Sequence, residues 1–253
     1  MGPVDRTVAT LGAGRNVGTG PEGYAVPHRY LEELSTASVT AARERYGSRA
    51  AIQRMVDGWH TDALLDADTA AFITERDGFY LGTVGENGWP YLQYRGGPPG
   101  FLQVLDPVDG HGVLGWADLR GNRQYLSVGN LGGSPRVSLL LMDYAQQRRL
   151  KIIGTARVVD VRDDAPADLL DRLDVYGQSG KVERLITVDV HGYDWNCPQH
   201  ITPRYSEAEL ADVLAPVSDE LTRLRAENRA LREQLHRPTG VRRSPTPEAM
   251  ERP

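Results

Sequence analysis

Residues 78–119 read "GFYLGTVGENGWPYLQYRGGPPGFLQVLDPVDGHGVLGWADL". Within this stretch "GFYLGTV", "PYLQYRG", "GFLQVLD" and "GVLGWADL" are short runs of aromatic and β-branched residues. Turn signals stand between them at Glu86-Asn87-Gly88 and at Pro107-Val108-Asp109-Gly110. No long helical run separates these strands, so the spacing predicts an antiparallel meander that closes into a barrel. Strand signals resume in "RVSLLLMDY", "RLKIIGTARVVDV" and "ERLITVDVHGYDW", interrupted by the helical stretches "NRQYLSVGNL" and "PADLLDRLDVYG". Upstream, from His28 to Glu75, apolar residues recur three and four apart in "YLEELSTASVTAARERYG" and "SRAAIQRMVDGW", and "DADTAAFITER" opens with acidic residues, as a helix N-terminus does. The expected class is mainly β, a small antiparallel barrel with helical attachments.

With 253 residues, 40% of them hydrophobic, the chain can bury a sizeable core. A formal net charge of -5 leaves no basic surplus, which argues against nucleic acid or an anionic membrane as the main partner. No charge-free apolar run approaches the ~20 residues of a membrane helix. "MGPVDRTVATLGAG" lacks the basic start and apolar stretch of a secretory signal, so a cytoplasmic location is expected. Cys197 is the only cysteine, which excludes an intrachain disulfide and a Cys-rich zinc site. It is either a small buried residue in a tight turn or a reactive thiol.

Residues 1–27, rich in Gly, Pro and Thr, read as a flexible arm. The glycines of "LGAGRNVGTG" miss the G-x-G-x-x-G spacing, and Pro21 follows where a helix should open, so a dinucleotide loop is not expected. Residues 28–215 form the barrel domain with its N-terminal helices, 216–237 a coiled-coil helix, and 238–253 a disordered tail. In "VSDELTRLRAENRALREQLHRP" the residues Leu221, Leu224, Asn228, Leu231 and Leu235 alternate steps of three and four, as successive a and d heptad positions do. Glu220 and Glu227 then fall at g, and Arg225 and Arg232 at e, so each pair can meet across a parallel dimer. Ser218 is placed to cap the start and Pro238 to end the helix. The alternative is an amphipathic helix lying on its own domain. The acidic stretch upstream, "YSEAELADVLAPVSDE", excludes a DNA-binding basic zipper.

The densest polar constellation is "WADLRGNRQYLSVGNL", from Trp116 to Leu131. Arg120 and Arg123 flank Gly121-Asn122 where a strand gives way to a helix, an arrangement that suits a phosphate. The arginines pairing with neighbouring carboxylates is an equal alternative. In "QYRGGPPG" strand alternation puts Gln93 and Arg95 on one face and Tyr94 on the other. Gly96 and Gly97 are expected to let a ligand approach the backbone.

Residues from about Ser48 to Tyr205, through "FYLGTVGENGWPYLQYRGGPPGFL", "DLRGNRQYLSVGNL" and "DWNCPQHI", resemble the pyridoxamine 5'-phosphate oxidase-like family of FMN-binding split-barrel flavoproteins. The resemblance implies an antiparallel split β-barrel and a homodimer that binds FMN in clefts built from both chains. It implies that Arg120, Asn122, Arg123 and Gln124 hold the phosphate and ribityl chain. Gln93, Tyr94, Arg95, Ala117 and Asp118 would line the ring and its polar edge, with Ser127 and Asn130 fixing the helix. Trp195, Asn196, Pro198, Gln199 and His200 would reach the ring from the partner subunit. His200 is either a proton donor or a hydrogen-bonding group at the ring edge. Oxidases of pyridoxamine phosphate carry a basic residue where this chain has Gln124, which separates flavin binding from vitamin B6 chemistry. The expected activity is an FMN-dependent oxidoreductase acting on a small molecule, with no metal. The alternatives are a flavin carrier or sensor, or a split barrel holding deazaflavin or haem, the last with His28, His60, His111, His191, His200 and His236 as candidate ligands.

Overall fold

The computed structural model describes residues 29–57, 65–108, 111–163, 165–174, 179–195 and 198–235. The expected N-terminal arm, the C-terminal tail and Pro238, the side chains of Asn196 and Cys197, and His28, His60 and His236 lie outside these residues. The chain divides into two compact units, residues 1–203 and 204–253.

Among the described residues the first unit opens with four short helices, α1 (Arg29–Glu33), α2 (Ala37–Arg45), α3 (Arg49–Val56) and α4 (Ala67–Thr74). The helical pattern of "YLEELSTASVTAARERYG" is broken because Thr36 turns extended and its side chain accepts the Val39 N–H at 3.3 Å, starting α2 afresh. Asp66 caps α4 in the same way, accepting from the Thr69 N–H at 2.7 Å. α1 lies on the sheet where Gly192 has no side chain. A Cβ there would come within 2.5 Å of the Tyr30 backbone nitrogen.

Seven strands follow: β1 (Gly78–Val84), β2 (Pro90–Gly96), β3 (Gln103–Val108), β4 (His111–Leu119), β5 (Arg136–Asp143), β6 (Arg148–Asp160) and β7 (Val182–Trp195). Helix α5 (Leu126–Gly133) separates β4 from β5, and α6 (Ala167–Arg172) separates β6 from β7. They make one antiparallel sheet in the order β2-β1-β5-β6-β7-β4-β3. The expected sequential meander is therefore confined to β5-β6-β7, and the hairpins β1-β2 and β3-β4 clip onto its opposite edges. Pro107 and Val108, expected in a turn, instead end β3, where Val108 pairs with His111 after a bulge.

The sheet curls without closing: β2 and β3 are its two edges and are not paired to each other. Laid flat, edges six spacings apart would stand roughly 29 Å from one another. The connection from Gly96 to Gln103 reaches at most about 25 Å fully extended, and it is shortened by a turn in which the Phe101 N–H bonds to the Pro98 carbonyl at 3.0 Å. The edges must therefore swing together. The interior shows that they do, since Phe79 on β1 meets Trp116 on β4 edge to face at 5.2 Å, four places apart in the sheet order. Phe79, Leu81, Leu114, Trp116, Leu139, Leu141, Ile152 and Val188 form the buried core inside this curl.

Among the described residues the second unit holds one helix, α7 (Glu207–Leu235), with Pro216 inside it. The helix expected to open at Ser218 opens at Glu207 instead. Ser206 and Glu209 form a reciprocal cap, with the Glu209 N–H bonding to Ser206 Oγ at 3.2 Å and the Ser206 N–H bonding to Glu209 Oε2 at 2.7 Å. Among the described residues no helix is long and apolar enough to cross a membrane.

Candidate functional site

β2 alternates as its sequence predicts: Tyr91, Gln93 and Arg95 are half-buried, while Leu92 and Tyr94 are exposed. Because the curl brings β2 over the end of β4, Arg95 Nη1 reaches Asp118 Oδ1 at 2.6 Å. Asp118 follows Trp116 on the interior face of β4 and is only 2% exposed. Register pairs Asp118 with Arg184 on β7, and Arg184 donates to Asp118 Oδ2 from Nε at 2.9 Å and approaches with Nη2 at 2.8 Å. Arg184 also contacts Glu183 at 3.1 Å, and Glu183 lies 3.8 Å from Arg120 Nε. One buried carboxylate thus anchors guanidinium groups from two distant strands. A charge this deep needs such partners. Ala117, beside Asp118, packs against the smaller apolar cluster around Leu185.

Beyond β4 the chain turns into α5 through Arg120–Tyr125. Asn122 Oδ1 accepts the Gln124 N–H at 3.1 Å, and Arg123 and Tyr125 both adopt positive φ, 64° and 53°. At the N-terminus of α5 the cap residue, Tyr125, makes no side-chain hydrogen bond to the first turn. The helix itself is tied to the sheet. Ser127 Oγ donates to Gln93 Oε1 at 2.7 Å, and Asn130 Nδ2 donates to Thr83 Oγ1 at 3.0 Å.

Beside this loop is a cleft of about 540 Å³ whose lining includes Arg123, Arg162, Lys181 and Arg184 together with Asp160, Asp163 and Glu183. Arg162 is spent on Asp160, with Nε 2.9 Å from Oδ1, and that pairing pushes the Asp160 carboxyl far below the usual range. Hydrogen bonding to Tyr125 raises the Arg123 pKa further. Lys181 and Arg184 were not singled out from the sequence. Lys181 is placed by its carbonyl, which accepts the Arg120 N–H at 2.8 Å. Arg184 could have been found only by knowing the β4-β7 register.

Tyr94 faces away from this cluster. Its ring crosses Tyr80 at 5.5 Å and lies over Gly78 and Gly96, and burial raises its pKa. Gly96 and Gly97 were expected to admit a ligand. In the fold the space of a Cβ on each is filled by the chain itself, Tyr94 at 2.8 Å and Phe101 at 2.6 Å respectively.

The remaining candidates stand at the far end of β7. Trp195 is half-buried edge-on to Phe72 at 4.6 Å, with the Arg148 guanidinium over its ring at 4.7 Å. Pro198, Gln199 and His200 are exposed, and His200 sits at φ 66°. This segment is pinned by Gln147 Nε2, which donates to the Ile201 carbonyl at 2.6 Å. Of the other described histidines, His191 bonds Thr155 Oγ1 at 2.9 Å, and His111 Nδ1 is buried without a partner among the described residues. No group of three or more His, Cys, Asp or Glu suited to a metal occurs among the described residues.

The segment that carries the Asp118 network, up to Arg184 near the start of β7, has a family match: residues 65–184 fit the model described as pyridoxamine 5'-phosphate oxidase. Over this segment the chain is similar to the pyridoxamine 5'-phosphate oxidase family. Solved structures that resemble it include an FMN-binding protein from Syntrophomonas wolfei, 9% identical over 64% of this chain and 98% of that one, with a TM-score of 0.40. Another is a protein related to general stress protein 26, of the pyridoxinephosphate oxidase family, from Clostridium acetobutylicum. It is 15% identical over 53% of this chain and 88% of that one, with a TM-score of 0.35. A third is an F420 reductase, 22% identical over 48% and 93%, with a TM-score of 0.32. At these scores the likenesses decide nothing about ligand or reaction. The chain matches no curated relative.

Proposed function

We propose that two copies of the chain bind FMN between them and use it to pass electrons or hydride to or from a small molecule. The observation that carries this reading is the division of the candidate residues between the two ends of β7. Arg184 and Asp118 lie at its start and Trp195 at its end, eleven residues on, roughly 35 Å along the strand. One planar cofactor touching both sets needs a second chain to supply one of them.

The residues suit such a cofactor. Arg120, Asn122, Arg123 and Gln124, with Lys181 beside them, offer cations and amide groups for a phosphate and a ribityl chain. Arg95 Nε and Trp116 Nε1 are buried donors with no hydrogen-bond partner among the described residues, so polar capacity remains inside the curl. FMN, when bound, supplies the electron acceptor, and the protein supplies orientation and hydrogen bonds. Trp195, Gln199 and His200 would come from the partner copy, with the imidazole of His200 able to carry a proton near neutral pH.

The test is the visible spectrum of the purified full chain, with mass spectrometry of whatever heat releases. FMN at one per chain, lost in the R120A/R123A variant, is the expected result. A protein that is colourless and refuses added FMN overturns it, and a haem or deazaflavin spectrum replaces it. Turnover with a reductant and an acceptor separates an enzyme from a flavin carrier.

A further inference from the structure

We infer that α7 is one half of a parallel two-stranded coiled coil whose other half is α7 of a second copy of this chain. The inference goes beyond the flavin reading and does not depend on it. Because the helix opens at Glu207, the spacing of Leu221–Leu235 extends backwards without a break. Leu210, Leu214 and Val217 continue the alternation of four and three, giving eight successive a and d positions with Asn228 among them.

The seven apolar members of this seam are 42% to 83% exposed. Such a long apolar stripe left in water calls for a partner. Pro216 falls at a c position, on the outside of the seam, so the backbone hydrogen bond that it forgoes does not interrupt the contact line.

Charge on the same helix specifies what that partner is. Glu220 and Glu227 occupy g, and Arg225 and Arg232 occupy e, so a parallel copy brings opposite charges together. An antiparallel copy would face Glu with Glu and Arg with Arg. Within one chain Arg223, at c, holds Glu220 at 2.7 Å and approaches Glu227 at 3.7 Å, so the e-position arginines of a parallel copy compete with it for these carboxylates from the seam side. Asn228 at an a position meets its own counterpart only in register.

The experiment uses the full chain carrying Cys197→Ser, with a single new cysteine by Leu231→Cys at d or by Ala226→Cys at f. Equivalent d positions of a parallel in-register pair stand within disulfide range, whereas f positions point apart. Mild oxidation and a non-reducing gel should show the Leu231→Cys protein crosslinked to dimers at least ten-fold faster than the Ala226→Cys protein. Equal rates, or no crosslinking of either, would overturn the inference, whether or not the protein is yellow.

Discussion

Arg184 grips Asp118 by one carboxylate oxygen, with Nε at 2.9 Å and Nη2 at 2.8 Å, and Arg95 takes the other oxygen at 2.6 Å. Replacing that carboxylate leaves two guanidinium groups facing each other in the mouth of the curl. Asp118→Asn should cost about 3 kcal/mol of unfolding free energy. Urea denaturation of the two proteins measures it, and a loss under 1 kcal/mol would mean that the arginines find other partners.

The Tyr193 hydroxyl offers a pH test. Burial first, and then the nearby Asp66 carboxylate, push its pKa up to about 12 from an ordinary 10.0. Its folded pKa lies above its unfolded one, so the stability it contributes is complete below pH 10 and is lost as pH rises from about 10 to about 12. Tyr193→Phe removes the ionisation, and the melting temperature of the variant should fall less steeply across that window.

Gly192 faces α1. A methyl group there must displace the Tyr30 backbone, 2.5 Å away. Gly192→Ala should lift α1 from β7, costing about 1–3 kcal/mol and exposing residues 29–33 to limited proteolysis several-fold faster. Cleavage at an unchanged rate would show that α1 accommodates the methyl by sliding.

Phe79→Ala removes the ring that meets Trp116 across the interior. Deleting a fully enclosed aromatic costs about 3–5 kcal/mol. Because the pair joins strands that are not neighbours in the sheet, the loss should be accompanied by a red shift of tryptophan fluorescence, as water reaches Trp116.

The strands were legible because β-branched and aromatic residues alternate over short runs, and Gln93 and Arg95 fall on the inner face as period two demands. Their order in the sheet was not legible, since nothing in "GFYLGTV" says that it pairs with "RVSLLLMD" sixty residues on. The candidate site divides along the same line. Arg120, Asn122 and Arg123 cluster in sequence and were found by it, whereas Arg184 and Lys181 join them through strand register. What fills the space beside Gly96 and Gly97 was not legible, because a missing side chain looks the same in sequence whether a ligand or the chain's own Tyr94 and Phe101 occupy the gap. The start of α7 is written in the sequence as Ser206-x-x-Glu209, but Pro216 mimics a later start, because proline is best tolerated in the first turn of a helix.

The six residues that join β2 to β3 act as a drawstring on the barrel. Their length sets how wide the unpaired seam can gape, and lengthening them would loosen the mouth where Arg95 meets Asp118 without breaking a single ladder hydrogen bond. Aperture, and with it access to the interior polar groups, is thus encoded in loop length, a quantity that can vary by insertion while every strand stays as it is.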